Sequence, residues 1–160
     1  MENIKHPFEP IIDKDCNILI LGSFPSIKSR ENKFYYMHPQ NRFYKLLSKI
    51  YNEDFVNADI NVKKKLLLEN HIAIYDVIES CEIINSDDSK IKNVKYADVL
   101  NLLKNCKIKK IYLNGKKAYE LFIKKYPKLQ DMVYYLPSTS PANAAFSFDK
   151  LYQCWKVIKD

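Results

Sequence analysis

Two strings far apart in the chain hold residue types suited to gripping a ligand. One is Leu21-Gly22-Ser23-Phe24-Pro25-Ser26, and the other is Leu136-Pro137-Ser138-Thr139-Ser140-Pro141-Ala142-Asn143-Ala144. Each follows a short apolar run that reads as a buried strand. Each is a small-residue, proline-containing loop whose backbone N–H groups and hydroxyls can crowd against a ligand. A third string, Tyr35-Tyr36-Met37-His38-Pro39-Gln40-Asn41-Arg42-Phe43, gathers aromatic rings, an imidazole and an amide. The cysteines Cys16, Cys81, Cys106 and Cys154 are scattered, with no CxxC or Cys/His spacing for zinc or an iron–sulfur cluster, and read as reduced thiols. No G-x-S-x-G nucleophile elbow occurs. No metal and no organic cofactor is expected.

The elements that must position these strings follow from hydrophobic spacing. Residues 17–21, 72–76, 110–114 and 132–136 read as strands. Residues 41–51, 61–70, 96–106, 116–125 and 148–159 read as helices, with Asn41 a natural N-cap for the first. Residues 85–92 are polar and read as a loop. Alternation of strands and helices predicts a parallel sheet with helices on both faces. Ligands of such sheets bind beyond the carboxyl ends of the strands, so the two small-residue loops should face one crevice. The chain has two glycines, Gly22 and Gly115, each directly after a strand, where a tight turn or close backbone approach is expected.

With 160 residues and 47% hydrophobic content, the chain fits a single globular domain spanning 1–160. Its net charge of +7 is compatible with a nucleic-acid or anionic-membrane partner. No apolar run approaches the roughly 18 residues of a membrane span. The first residues lack the apolar core of a signal peptide. A cytoplasmic, nucleoid-associated monomer is the expectation. Lys63, Lys64 and Lys65 read as a solvated helix face.

Gly22-Ser23-Phe24-Pro25, Tyr35-Tyr36-Met37-His38-Pro39-Gln40-Asn41 and Pro137-Ser138-Thr139-Ser140-Pro141-Ala142-Asn143, in this order, resemble the uracil-DNA glycosylase superfamily, and within it the deoxyinosine (hypoxanthine) DNA glycosylase branch. The resemblance implies a three-layer α/β/α sandwich with a four-stranded parallel sheet. It also implies a monofunctional DNA glycosylase that flips a deaminated base, hydrolyses its N-glycosidic bond and leaves an abasic site. Most branches place Asp or Asn before the proline of the first motif, to position the attacking water. Phe24 stands there and can do no such polar work. In the deoxyinosine branch the catalytic residue is the later asparagine, here Asn41. An amide is a weak base, but its carbonyl can orient a water and its NH2 can donate.

The same resemblance assigns Ser23, Phe24, Tyr36, Asp76 and Ser138 to the base. Tyr36 would stack on the flipped base, which has left its neighbours in the helix. Asp76, at a strand end, would read the base edge. Ser138 stands where classical uracil glycosylases place a histidine. Ser140, Lys116 and Lys117 would meet phosphates, and Ala142 and Asn143 would enter the minor groove. His38 reads as a structural hydrogen-bonding residue, and Asp88 or Ser89 as possible pocket lining. Two alternatives stay open: a mismatch-specific uracil/thymine or xanthine DNA glycosylase, and a non-catalytic DNA-binding protein on the same fold.

Overall fold

A computed structural model describes residues 2–84 and 87–160. Its centre is a parallel sheet of four strands in the order β3-β2-β6-β7. These are β2 (Ile18–Gly22), β3 (Ile72–Asp76), β6 (Lys110–Asn114) and β7 (Val133–Leu136), matching the four expected strands to within a residue. Side chains alternate between the two faces of a strand, and each face has its own core. Ile18, Ile20, Ile72, Ile74, Tyr112 and Leu136 pack on one side with α2 (Phe43–Tyr51), α3 (Ile60–Glu69) and α6 (Phe148–Trp155). Leu19, Leu21, Ala73, Ile111, Leu113 and Val133 pack on the other, with α4 (Val99–Leu103) and α5 (Lys116–Lys125). The result is the three-layer sandwich. Before α2, α1 (Ile27–Asn32) follows the first small-residue loop, capped by Ser26, whose hydroxyl accepts from the Ser29 N–H.

Several local expectations change. The strand β1 (Glu2–Lys5) pairs antiparallel with β4 (Ile78–Ile84), which in turn pairs with β5 (Asp87–Tyr96), forming a second sheet. Residues expected to form a polar loop therefore contribute most of β5. Its string Asp-Asp-Ser-Lys-Ile-Lys-Asn-Val-Lys-Tyr has few apolar residues because it packs over a small cluster of Ile78, Cys81 and Ile83 with Ile4, Ile91 and Val94. Asn85 and Ser86 lie outside the described residues, as do the side chains of Asp88 and Ser89.

The helix expected over 96–106 is reduced to α4, with Asp98 capping the Asn101 N–H. The last helix ends at Trp155 and tightens into a 3₁₀ turn over Lys156–Lys159. Lys63 is not solvated. It is 6% exposed, its ammonium donates to the carbonyls of Val56 and Ala58, and it lies 5.0 Å from the Tyr44 ring centroid. The turn before α3 folds back over it, which residue spacing alone does not reveal. Lys64 and Lys65 are exposed, as expected.

Candidate active site

Because the central strands are parallel, the carboxyl ends of β2, β3, β6 and β7 share one edge. A cleft of about 240 Å³ opens there. It is lined by Gly22, Ser23, Phe24, Tyr36, Asn41 and Asp76, by Ser138 to Pro141 opposite, and by His38 and Asn114. All six residues assigned to catalysis or the base thus meet at one place.

The first wall follows β2. Gly22 pairs in register with Asp76 of β3. Its carbonyl accepts from the Val77 N–H at 2.8 Å, and that of Ser23 from the Ile78 N–H at 3.0 Å. A Cβ on Gly22 would stand 2.6 Å from Asp76 Oδ1 and 3.0 Å from the Tyr36 hydroxyl oxygen, so only glycine admits both groups. Phe24 turns its ring to the cleft and to the second-sheet cluster, with the Arg30 guanidinium 5.7 Å from its centroid.

The second wall is the segment before α2. Tyr36 takes a left-handed backbone, φ 57°, which turns its ring inward. That turn is pinned by the Ser29 hydroxyl, which accepts from the Met37 N–H at 2.9 Å. One face of Tyr36 packs on Phe43, 4.1 Å between centroids. Burial, with the Asp76 carboxylate as second cause, holds its phenol well above the usual tyrosine range. His38 Nδ1 accepts from the Gln40 N–H at 3.1 Å. Asn41 does not cap through the N-cap position, because α2 begins at Phe43. Its Oδ1 accepts from the Phe43 N–H at 2.9 Å, which fixes the amide in the cleft wall.

The third wall is the loop after β7, and four residues to which the sequence assigned no role shape it. Asn114 and Thr139 exchange two buried hydrogen bonds of 3.0 Å, binding the end of β6 to the loop. Arg42, next to Asn41, forks onto the carbonyls of Ser140, Asn143 and Phe146, while its own N–H donates to the Thr139 carbonyl at 3.1 Å. Trp155 Nε1 donates to the Pro137 carbonyl at 2.8 Å. Within the loop, Ser138 Oγ accepts from the Ser140 N–H, Ser140 Oγ from the Ala142 N–H, and the Asn143 amide donates to the Ser138 carbonyl. Asn143 is therefore turned into the loop, while Ala142 is exposed at its tip.

Gly115, at φ 104°, packs the start of α5 against this wall. A Cβ there would approach Ser138 Cβ to 3.2 Å. Lys116 and Lys117 are exposed in the first turn of α5, beside the cleft rather than in it, with Lys116 Nζ 3.9 Å from Glu120. Cations there oppose the helix dipole.

Asp76 is 3% exposed at the cleft floor. Its Oδ2 lies 2.7 Å from His6 Nε2. His6 drew no notice in the sequence, because nothing local links it to a residue 70 positions away. Among the described residues, no group of three or more His, Cys, Asp or Glu is placed to hold a metal ion. Among the described residues, no helix is long and apolar enough to cross a membrane.

Comparison with known proteins agrees with this fold. The family model of the uracil DNA glycosylase superfamily matches residues 9–159. A protein of Methanosarcina acetivorans named hypoxanthine DNA glycosylase is 36% identical over 159 residues, covering 97% of this chain and 98% of that protein. A protein of the same name from Methanosarcina barkeri is 35% identical over 118 residues, 72% of this chain and 74% of that one. A solution NMR structure from Methanosarcina acetivorans, of a protein named as a candidate uracil DNA glycosylase, superposes with a TM-score of 0.84. It shares 31% identity and covers 97% of this chain and 96% of the other.

Proposed function

This chain belongs to the uracil DNA glycosylase superfamily, and from that premise we propose that it removes hypoxanthine from deoxyinosine in DNA, hydrolysing the N-glycosidic bond and leaving an abasic site. The observation that carries the reading is the position of Asn41, in the wall of the same cleft as Phe24 and Asp76. Phe24 has no polar atom with which to direct water, so that task falls to the amide across the cleft. The relatives named hypoxanthine DNA glycosylase support the choice of base.

The chemistry assigns each group a task. Cleavage passes through a cation-like sugar and an anionic leaving base. One lone pair of Asn41 Oδ1 is held by the Phe43 N–H, which orients the amide. The other lone pair accepts from the attacking water, and the NH2 donates toward sugar or base. The rate gain comes from positioning and from polar groups fixed before the reaction begins. Ser23, the backbone beside Phe24, and Ser138 supply donors to the departing base. Tyr36, backed by Phe43, and Phe24 give the extruded base its aromatic surroundings. Asp76 accepts from the N1–H of hypoxanthine. Ser140, Ala142, Lys116 and Lys117 face the DNA backbone and groove, whereas Asn143, expected there from the sequence, has its amide on the Ser138 carbonyl and shapes the loop instead. The domain works as a monomer at the nucleoid. Among the described residues no lysine lines the cleft for Schiff-base chemistry, so strand breakage requires later alkali.

The test is a set of duplex oligonucleotides carrying one deoxyinosine, deoxyuridine or deoxyxanthosine, treated with alkali after incubation. Cleavage at deoxyinosine is expected. Cleavage at deoxyuridine alone would move the chain to the uracil-specific reading. Binding without cleavage of any of them would make it a DNA-binding protein. Affinity should fall steeply with added salt, as it does when several phosphates are contacted.

A further inference from the structure

The region ahead of the family match, which begins at residue 9, holds a side chain, His6, against Asp76 of the cleft. His6 continues from β1, and its N–H donates to the Glu79 carbonyl at 2.7 Å, carrying the pairing with β4 one residue further. Its side chain is 1% exposed. Phe8 and Tyr75 stand 4.6 Å from it, Tyr35 5.7 Å and Phe24 6.0 Å, centroid to centroid. Among the described residues Nδ1 has no hydrogen-bond partner, and the imidazole's polar contact is Nε2 to Asp76 Oδ2, at 2.7 Å.

A buried polar ring in an aromatic box is costly unless its hydrogen bonding is met. With Nδ1 bare, the favoured tautomer carries its hydrogen on Nε2 and donates it to Asp76. That bond does two things. It supplies a hydrogen-bond donor to a carboxylate otherwise shut away from water. It also fixes the carboxylate plane, so that Oδ2 is held by His6 while Oδ1 sits beside Gly22 at the cleft. An oxygen that only accepts can pair with a ring N–H. Hypoxanthine presents one at N1. Adenine presents a bare acceptor there, which would set two acceptors against each other, and a buried unpaired polar group strongly penalises the wrong partner.

We propose that His6 is a positioning residue that holds Asp76 as a fixed acceptor and thereby makes the cleft prefer bases bearing a ring N–H over adenine. The proposal rests on the base-excision reading above and deepens it. Its test compares wild type with His6→Leu, His6→Gln and His6→Asn. Each is measured for binding to duplexes carrying deoxyinosine or deoxyadenosine at one position, for single-turnover cleavage, and for thermal midpoint. The glutamine amide reaches the place of Nε2, whereas asparagine reaches only that of Nδ1.

The expected result is that His6→Leu and His6→Asn lose inosine-over-adenosine preference by about 10- to 100-fold, the scale of one hydrogen bond to a charged group. His6→Gln should restore most of it. If His6→Leu does not fold, the contrast between glutamine and asparagine decides. Unchanged preference in all variants, whatever their thermal midpoints, overturns the role of His6 and leaves the glycosylase reading intact if wild type cleaves deoxyinosine. A wild type that binds the inosine duplex preferentially without cleaving it, and loses that preference in His6→Leu, sinks the glycosylase reading and keeps His6. A wild type with no preference overturns both.

Discussion

Asn114 at the end of β6 and Thr139 in the loop after β7 hold each other by two buried hydrogen bonds, side-chain amide to hydroxyl and backbone N–H to amide oxygen. The pair joins the sheet edge to the wall that carries Ser138 and Ser140. Asn114→Ala leaves the Thr139 N–H and hydroxyl without partners. A stability loss of about 1–3 kcal/mol is expected, the cost of stranded buried polar groups. Urea denaturation checks it. Full stability in the variant would mean the loop is held elsewhere.

Arg42 stitches the two walls together. Its fork reaches the carbonyls of Ser140, Asn143 and Phe146 from the residue that follows Asn41. A lysine is a point donor and cannot span them. Arg42→Lys should therefore slow base release by up to about 10²-fold, as small displacements of catalytic groups do, while folding survives. Single-turnover cleavage alongside circular dichroism measures both. Wild-type rates in Arg42→Lys would show that Asn41 and the loop are placed independently.

Gly22 is fixed by what its missing Cβ would strike. In Gly22→Ala the methyl would meet Asp76 Oδ1 at 2.6 Å and the Tyr36 hydroxyl at 3.0 Å. Overpacking of this kind costs about 1–3 kcal/mol, and here it also displaces the Asp76 carboxylate, which we propose reads the base. Lower thermal stability and weaker discrimination between inosine and adenosine are expected together. Loss of stability with unaltered discrimination would separate Gly22 from recognition.

Much of this arrangement is legible before folding. Short apolar runs ending at Gly22, Asp76 and Asn114 mark strands, and parallel strands put their ends on one edge. The loops after the strands ending at Gly22 and Leu136 therefore bring Phe24 and Ser138 to one edge, while Tyr36 and Asn41 are placed with them by the family resemblance. His6, Arg42 and Asn114 are not legible in that way, because their partners are set by tertiary contact. The same holds for Lys63, which looks like a solvated lysine until the Val56 and Ala58 carbonyls turn back over it. The hairpin of β4 and β5 escapes because its second strand covers a small core and keeps a polar composition.

The buried tyrosines make a prediction at alkaline pH. Burial is the leading cause that holds Tyr35, Tyr36 and Tyr44 far above the usual 10.0 and raises Tyr75 to about 12. The folded state keeps these protons where the unfolded chain has released them. Their contribution is complete below pH about 10 and is lost as pH rises above it toward the folded values, because unfolding then releases protons. Denaturation midpoints should decline over that range, with phenolate absorbance from these residues appearing on unfolding. Tyrosines that all ionise near their ordinary value in the native protein would contradict the burial of Tyr36 at the cleft.

The central claim is that Asn41 performs the cleavage. The most direct measurement is the single-turnover rate of base release from a deoxyinosine duplex by wild type and Asn41→Ala, with binding to the same duplex measured in parallel. A loss of about 10²–10³-fold in rate with binding retained is predicted, the scale for removing one preorganised polar group. An Asn41→Ala protein that releases hypoxanthine at the wild-type rate would contradict the account.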